Sequence, residues 1–575
     1  MSAHGREIRL QPRVFDLLCY LVRHRERVVP KDELLESLWP GTIVVDNALQ
    51  RVVSLARGAL AEIGLGDAVR TYARHGYRFC LDDCEEAAAD SSPPDAAGRV
   101  AKARAACDRN DWAAACEAYA AADAAAPLPA SDVEQWGRAA ICAGLGPSAV
   151  EALERVVAQH DAAGDTLGAA RLTLLLVQIR IDNKQGVFAR GLLQRASRYL
   201  DGQTDVVERG HFAWMASRMA LGNGDPALAM TMADEACNLG RNLRDPDVEC
   251  LGLVYRGHAL MARGEVAAGL AQHEEAAAVI RLGGVRSWVA GWALCAILYA
   301  ARYRCDWLRA AQFAEAFVEW SRACSMPAFP GTCQLHRAAV LGVRGELERA
   351  TSEVRAAAAL LAKAAPWAEG DAYCVLGDIQ LSHGDFDGAE ASFKQAHALG
   401  WDPQPGLARL HLQTGKPELA RRELERALEE ADWTLRERRG QLLCLLVHAA
   451  LRAGDAQRAR EALQTLDADP QMLATEALKA MHCGAEAELA MHAGDVKLAA
   501  HKLRHAVRHW REVGSPVGEA ETRMRLAECL IQDRDLGGAE LELHAIEFNL
   551  APAAAMHRDR MGMLQNELAA LRAAP

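Results

Sequence analysis

The chain has few aromatic residues and no long uncharged run, and both absences restrict what it can be. Phe, Trp and Tyr make up 5% of its 575 residues. The longest stretch without Asp, Glu, Lys or Arg covers residues 287–301, which is shorter than the roughly 20 apolar residues that cross a bilayer. We therefore expect no membrane-spanning helix, and we interpret 287–301 as a buried helix of a cytoplasmic protein.

Motifs of nucleotide binding and nucleophilic catalysis are also absent. The TGKPE segment around Lys416 is not a GxxxxGK[ST] phosphate loop, because proline replaces the hydroxyl residue and the upstream glycine is missing. No GxSxG motif occurs, and GLGDAV from Gly64 is interpreted as a turn at a helix end. No paired carboxylates stand out from the acids of solvated helices. We expect no enzyme activity and no cofactor.

The sixteen cysteines contain no CxxC pair, and no secretory signal pattern is present. We expect reduced thiols, which act as small apolar fillers in alanine-rich helices. His501, His505 and His509 recur every four residues and so share a helix face, an arrangement that can hold a metal. The lysine and arginines between them oppose a dication. A solvated basic face is therefore expected, without a metal site.

The first eighty residues contain an amphipathic helix with an unusual polar face. Its apolar stripe has helical spacing and consists of Leu49, Val52, Val53, Ala56 and Leu60. Its polar face has almost no acid and consists of Asn47, Gln50, Arg51, Ser54 and Arg57. Asp46 precedes the helix as a natural N-cap.

A short β-hairpin is predicted to follow this helix. The segments VRTYA and YRFCL have strand-forming compositions and are separated by a turn at Arg74, His75 and Gly76. A helix with a polar, basic face and a hairpin with a basic tip suit a major groove and its neighbouring phosphate backbone.

Four segments in order resemble the OmpR/PhoB-type winged-helix DNA-binding domain, over roughly residues 6 to 82. They are LQPRVFDLLCYLV (first helix), RVVPKDELLESLWPG (second helix), VVDNALQRVVSLARGAL (recognition helix) and VRTYARHGYRF (wing). Family members usually open with a small antiparallel sheet, whereas REIRL alone precedes the first helix here. Either the true start lies upstream of Met1, which we favour, or the domain folds with a reduced sheet.

The resemblance assigns roles to individual side chains. It implies base contacts from the exposed face of the recognition helix, with Asn47, Gln50, Arg51 and Ser54 as candidates. It implies backbone or minor-groove contacts from the wing, with Thr71, Arg74 and His75 as candidates. Arg57 is equally compatible with a phosphate contact and with an ion pair inside the domain. Trp39 is expected to pack the second helix. The plain alternative is that all of these are ordinary solvated residues.

The charge distribution confines the expected nucleic-acid surface to the N-terminus. Residues 1–82 contain twelve Lys or Arg and ten Asp or Glu, a balance of +2, so that the rest of a chain of net charge −12 carries −14. Double-stranded DNA would be repelled by that remainder. A module of +2 is itself only mildly attractive, which argues for two copies on neighbouring half-sites and hence for self-association.

A change in composition separates this module from the rest of the chain. The segment DDCEEAAADSSPPDAAG is acidic, small and proline-bearing, as linkers are. Beyond it, Ala, Leu, Arg and Glu dominate and strand patterns vanish, which indicates helices. We predict a winged-helix domain at 1–82, a linker at 83–98 and a helical domain at 99–575.

The helical region repeats itself. A break, a polar or acidic residue and an alanine four positions later recur at Asp225, Asp306, Glu346, Asp385, Lys416, Asp455, Asp495 and Asp535, and with Glu265 counted between the first two the steps are 31 to 41 residues. Glu265 has the same phase with Gly269 in place of alanine, while Gln185 and Asp111 extend the pattern backwards. Periods of this length with two helices each indicate an α-solenoid.

The unit at 373–396 resembles the tetratricopeptide repeat, through Leu376, Gly377, Ala389, Phe393 and Ala396. The period near forty residues is more similar to the repeat domain of MalT-type regulators, although their usual nucleotide-binding domain is missing. The 31-residue step across LGWDPQPGLARL predicts a local kink.

The predicted fold is therefore mainly α, with an N-terminal winged helix-turn-helix followed by an α-solenoid of tetratricopeptide-like helix pairs. We expect a transcriptional regulator that binds double-stranded DNA through residues 1–82. Its repeat arm is expected to bind a protein partner or small ligand, or to self-associate. Two alternatives remain: a solenoid that merely oligomerises the DNA-binding module, and an adaptor whose winged helix binds protein without DNA.

Overall fold

The computed structural model describes most of the chain and divides it into two compact units. The units are residues 1–95 and 96–575, called here the N-terminal unit and the repeat unit. The described residues are 2–3, 6–7, 12–24, 28–38, 46–61, 68–72, 76–79, 96–323, 332–364, 366–429, 435–549 and 558–573. A helix already begins at Ala96, within the segment interpreted as linker.

The N-terminal unit has three helices and two small antiparallel sheets among its described residues. The helices are α1 (Pro12–Arg23), α2 (Lys31–Leu38) and α3 (Asp46–Ala61). The strands are β1 (Ser2–Ala3), β2 (Arg6–Glu7), β3 (Val69–Tyr72) and β4 (Gly76–Phe79). β1 pairs with β2, and β3 pairs with β4 with Val69 opposite Phe79. The predicted hairpin is thus confirmed in its strands, and the opening sheet has two residues per strand.

The core of this unit follows the predicted helical stripe. All five stripe residues of α3 are buried, each at most 9% exposed. They pack with Leu17 and Leu21 of α1, Leu34 of α2 and Tyr77 of β4. Because one face of α3 is committed to this core, its opposite face must point away from it.

The repeat unit is a series of antiparallel helix pairs in which consecutive helices pack on one another. The first helices of the pairs, called A helices, are α4 (Ala96–Asp108), α6 (Ala130–Ala143), α8 (Thr166–Asp182), α10 (Val207–Gly222), α12 (Pro246–Ala262), α14 (Ser287–Tyr303), α16 (Thr332–Val343), α18 (Pro366–His383), α20 (Gly406–Gln413), α22 (Leu435–Arg452), α24 (Glu476–His492) and α26 (Pro516–Gln532). The second helices, called B helices, are α5 (Trp112–Ala125), α7 (Val150–Ala162), α9 (Gly186–Tyr199), α11 (Pro226–Leu243), α13 (Val266–Leu282), α15 (Trp307–Ala323), α17 (Leu347–Ala364), α19 (Phe386–Ala398), α21 (Pro417–Glu429), α23 (Ala456–Asp467), α25 (Val496–Val513) and α27 (Leu536–Asn549). A last helix, α28 (Arg558–Ala573), follows. Two 3-10 turns lie at Gly146–Ala149 and Pro470–Leu473.

The repeat marker found in the sequence lies at the start of every B helix except α7. The carboxylate of Asp225 accepts a hydrogen bond from the amide of Leu228 at 2.9 Å, and that of Asp385 accepts one from Gly388 at 2.9 Å, so the acidic residue caps the helix. The alanine four positions after each marker is completely buried, as Ala229 and Ala389 illustrate. A larger residue at this position would push the paired helices apart. The series of helix pairs confirms the predicted α-solenoid.

Small residues and the irregular step have direct structural reasons. A Cβ atom on Gly377 of α18 would lie 2.5 Å from the ring of Phe393 in α19, so only glycine allows this close approach. At the 31-residue step, α20 is reduced to eight residues. Pro403 and Pro405 precede it, and proline lacks the backbone N–H donor that a longer helix would need.

Distant repeats of this unit also touch. The amide of Val266 donates to Gln471 Oε1 at 3.1 Å, although the residues are 205 positions apart. Thr475 Oγ1 donates to the carbonyl of Arg304 at 3.3 Å. Cys305 packs in an apolar cluster with Leu478 and Val513, so successive turns of the superhelix close on each other.

The segment 287–301 lies within α14 and is largely buried, as predicted. Among the described residues, none of the helices combines the length and the apolar character that a membrane crossing requires.

Candidate nucleic-acid interface and interior of the repeat unit

The candidate nucleic-acid interface begins with the face of α3 that points away from the core. Gln50, Arg51 and Ser54 are all exposed on it. Leu55 is 42% exposed on the same helix and adds an apolar side chain. Two long hydrogen-bonding side chains and a hydroxyl, grouped with an apolar contact, match what base edges in a major groove offer.

Arg57 connects this helix to the wing. Its Nε and Nη2 donate to the carbonyl oxygen of Val69 at 2.9 and 2.7 Å. Its Nη2 also lies 2.7 Å from Thr71 Oγ1, which accepts a hydrogen bond from it. The structure thus brings two candidates, Arg57 and Thr71, into contact with each other. The partner of Arg57 is a strand backbone, which the sequence pattern did not indicate.

The outer face of the wing contains a basic pair that the sequence reasoning missed. Arg70 and Arg78 lie directly opposite each other in the β3–β4 register and therefore share a face of the hairpin. Val69, the neighbour of Arg70, is buried, so this shared face is the outer one. Arginine side chains on one face can bind a phosphate group through charge-assisted hydrogen bonds. The alternation of strand residues could have revealed the pair.

Several candidate side chains fall outside the described part of the structure. These are Trp39, Asp46, Asn47, Arg74 and His75. Of these, Asp46 and Asn47 do have a described backbone, in the first turn of α3.

The interior of the repeat unit contains a second candidate site, a cavity of about 1050 Å³. Its wall is formed by the A helices from α14 onward together with α28, through residues such as Tyr299, Ala339, Asp378, Gln441 and Arg525. A volume of this size accommodates a ligand or a peptide segment.

Buried ion pairs cross this interior. Arg302 Nη2 lies 2.6 Å from both carboxylate oxygens of Asp371, and both side chains are almost completely buried. Arg302 Nη1 has no hydrogen-bond partner among the described residues. Burial raises the pKa of Asp378, which lines the same wall. Arg302, Asp371 and Asp378 all line the cavity, so its wall carries charged groups of both signs.

Ion pairs also join neighbouring repeats. Arg171 of α8 reaches Glu134 of α6 at 2.9 Å and Glu208 of α10 at 2.7 Å, each 37 positions away. Arg525 and Glu488 repeat this arrangement between α26 and α24 at 2.6 Å. Such pairs tie the A helices into one concave face.

One of the three histidines on α25 meets two carboxylates. The ligand atoms of His509, Glu476 and Glu512 all lie within 4.8 Å of one another. His509 Nδ1 is 2.6 Å from Glu476 Oε2, and Lys479 Nζ is 2.6 Å from Glu476 Oε1. Because Lys479 already neutralises Glu476, we interpret this group as an ion-pair network.

Comparison with known families matches two segments of the chain. Residues 5–79 match the family described as "Transcriptional regulatory protein, C terminal". The N-terminal unit contains an OmpR/PhoB-type domain. Residues 370–404, which include α18 and α19, match the tetratricopeptide repeat.

Two curated relatives each match a small part of the chain. The transcriptional activator CadC of Escherichia coli K12 is 28% identical over 103 residues, which are 16% of this chain and 20% of CadC. The uncharacterized transcriptional regulatory protein YvcP of Bacillus subtilis 168 is 39% identical over 74 residues, 13% of this chain and 31% of YvcP. The chain thus matches about a fifth and a third of the lengths of these relatives.

Solved structures give looser matches over longer parts of the chain. The APC/C hetero-tetramer Cut9–Hcn1 matches 83% of this chain and 94% of that chain, with 11% identity and a TM-score of 0.41. A Rap protein complexed with competence and sporulation factor matches 70% of this chain and 99% of that chain, with 14% identity and a TM-score of 0.37.

Proposed function

We propose that this chain is a transcriptional regulator that binds double-stranded DNA through its N-terminal unit. In this proposal α3 enters the major groove and presents Asn47, Gln50, Arg51 and Ser54 to base edges. The observation that carries the proposal is the polar, acid-free exposed face of α3, which lies next to a basic wing in a domain of the OmpR/PhoB type.

The wing supplies the sequence-independent part of binding in this proposal. Arg70, Arg78, Arg74 and His75 contact phosphates or the minor groove. Arg57 and Thr71, which are hydrogen-bonded to each other, set the angle between α3 and the hairpin. Phosphate contacts position a protein on DNA, whereas contacts with base edges determine its sequence preference.

The repeat unit acts as the regulatory arm. Its cavity, which is lined by the Arg302–Asp371 ion pair and by Asp378, supports binding of a small ligand or a peptide segment of a protein partner. The net charge of −14 on residues 83–575 disfavours DNA there. We further propose that the arm joins two copies of the chain, because two linked modules on adjacent half-sites gain affinity through effective concentration.

A gel-shift experiment with the full chain and its own upstream DNA, repeated across salt concentrations, tests the DNA proposal. We expect a specific shifted complex whose affinity falls with salt, with a slope that reflects the few basic groups of the module. Binding that is absent at low salt would contradict the proposal and favour an adaptor whose winged helix binds protein.

Sedimentation of the full chain with and without a repeated DNA site tests the pairing proposal. We expect self-association that the repeated site strengthens. A strict monomer in both conditions would show that the arm does not join two copies of the chain. Its remaining role would be the recruitment of another protein.

A further inference from the structure

Three positions run along the middle of the face of α3 that points away from the core. Arg51, Leu55 and Gly58 follow one another at steps of four and three residues, so they lie one above the other on the helix surface. All three are exposed. Val53 and Leu60, on the opposite side of the helix, are buried at about 2% exposure, which places the three positions at the centre of the outward face.

Leu55 is the apolar exception on this face. Its side chain is 42% exposed, and among the described residues of α3 it is the only large apolar side chain that is exposed. None of the described side chains of α3 is acidic, and the wing beside it has Arg70 and Arg78 on one outer surface. This charge suits DNA. In the major groove of DNA, thymine is the base that offers an apolar group, its 5-methyl group.

Gly58 has no neighbour in the N-terminal unit that would explain a glycine. A Cβ atom on it would meet no other group of the described residues within 4 Å. By contrast, a Cβ atom on Gly240 or Gly252 would lie 2.3 or 2.6 Å from the backbone of the paired helix. Glycine in the interior of a helix is destabilising relative to alanine. Close approach of a surface from outside the chain gives position 58 a reason to be glycine.

We propose that Leu55 selects thymine in the DNA site by contact with its 5-methyl group, and that Gly58 lets α3 lie close enough to the duplex for this contact. The inference rests on the DNA binding proposed above. A leucine side chain is shorter than that of arginine, so Leu55 reaches a base edge only if the helix backbone lies near the DNA. A side chain at position 58, one turn away on the same line, would hold the backbone off.

Replacement of thymine by uracil isolates this contact. Deoxyuridine lacks the 5-methyl group and keeps the hydrogen-bonding groups of thymine, so the contacts of polar neighbours such as Arg51 are unaffected. The full chain first selects its site from a random duplex library, and each thymine of that site is then replaced in turn. We expect one thymine in each bound copy of the site at which the replacement weakens binding roughly fourfold in a gel shift, the effect of one methyl group.

A variant of Leu55 connects that thymine to the side chain. Leu55→Ala should bind the thymine site and the uracil site equally, because the partner of the methyl group has been removed. Phe15→Ala also removes a large apolar side chain that is exposed in the same unit, at 46%, and should keep the difference between the two sites. If Leu55→Ala keeps the uracil effect at every thymine, the inference is overturned although the chain binds DNA. If the full chain selects no DNA sequence, the proposed function fails and this inference fails with it.

Variants of Gly58 test the close approach. Gly58→Gln should weaken binding to the selected site by at least about fivefold, as a side chain forced into a packed contact does. Its melting temperature should not fall, since glutamine favours helix more than glycine does. Gly191→Gln makes the same change at another exposed helical position, on α9, where a Cβ atom also meets nothing within 4 Å among the described residues, and it should leave DNA affinity unchanged. Parental affinity in Gly58→Gln would overturn the close approach and with it the reach of Leu55.

Discussion

Arg57 holds the carbonyl oxygen of Val69 with two nitrogen atoms of its guanidinium group, at 2.9 and 2.7 Å. Arg57 is on α3, and Val69 begins the first strand of the wing. Arginine presents its donors in a rigid plane, so this contact restricts the angle between helix and wing as well as their distance. The two elements proposed to contact DNA are therefore positioned by one side chain.

Replacing Arg57 by alanine should loosen the wing. The loss of a charged hydrogen bond costs roughly 1.5–3 kcal/mol, and it leaves the Val69 carbonyl without this partner. We expect faster hydrogen exchange in Val69–Tyr72 of the full chain and weaker binding to all DNA sequences. Arg57→Lys keeps the charge but cannot reproduce the planar contact. If the Arg57→Lys chain keeps the exchange protection and the DNA affinity of the parent chain, the charge of residue 57 and not the planar geometry of its contact positions the wing.

Replacing Arg51 by alanine should instead reduce sequence preference. Arg51 is exposed on α3, and loss of a base contact of this kind typically costs about 1–3 kcal/mol of discrimination. Hydrogen exchange in α3 should stay as in the parent chain. Arg13→Ala removes the same charge from the exposed surface of α1 and is the matched control. Equal losses in the two variants, measured by gel shift on specific and random DNA, would show that only net charge is involved.

Much of the fold could be predicted because it depends on local patterns. The buried stripe of α3 follows from helical spacing. The capped start of a B helix, such as Asp225 with Ala229, follows from a hydrogen bond between residues only three positions apart. The hairpin strands likewise follow from alternation and a turn. Each of these features needs only a few neighbouring residues to be specified.

Features that depend on distant packing could not be predicted. The contact of Val266 with Gln471 arises from the accumulated rotation of many repeats, which the repeat spacing does not reveal. The bond from Arg57 to the Val69 carbonyl was missed since backbone acceptors carry no sequence signature.

A buried histidine should make the repeat unit sensitive to acid. His273 is 1% exposed, its Nε2 lies 3.2 Å from the carbonyl oxygen of Val254, and burial lowers its pKa from 6.5 to about 4. The unfolded chain therefore takes up the proton more readily than the folded chain. The contribution of His273 to the free energy of unfolding is complete above about pH 6.5. It decreases by on the order of 3 kcal/mol as the pH falls toward 4.

Thermal unfolding of the full chain between pH 7 and 4 measures this effect. His273→Gln removes the titrating group and keeps a donor for the Val254 carbonyl, so its melting temperature should fall less steeply with pH. His501→Gln, at an exposed position on α25, is the control and should follow the parent chain. A His273→Gln chain with the parent's pH profile would assign the acid sensitivity to other groups.

The contact between distant turns should determine how compact the repeat unit is. Val343, at the end of α16, packs against the cluster that Leu478 and Val513 form on later repeats. Val343→Asp places a carboxylate in this apolar contact, and burying an unpaired charge is strongly unfavourable. Each repeat also packs on its immediate neighbours, so helix content should be retained while the turns separate. Small-angle X-ray scattering of the full chain should give a larger radius of gyration, with an unchanged far-ultraviolet circular dichroism spectrum.

Val187→Asp makes the same chemical change at a position that is 74% exposed on α9, and it should leave the radius unchanged. An unchanged radius in Val343→Asp would mean that packing between adjacent repeats alone sets the curvature and that the cavity does not need the closing contact.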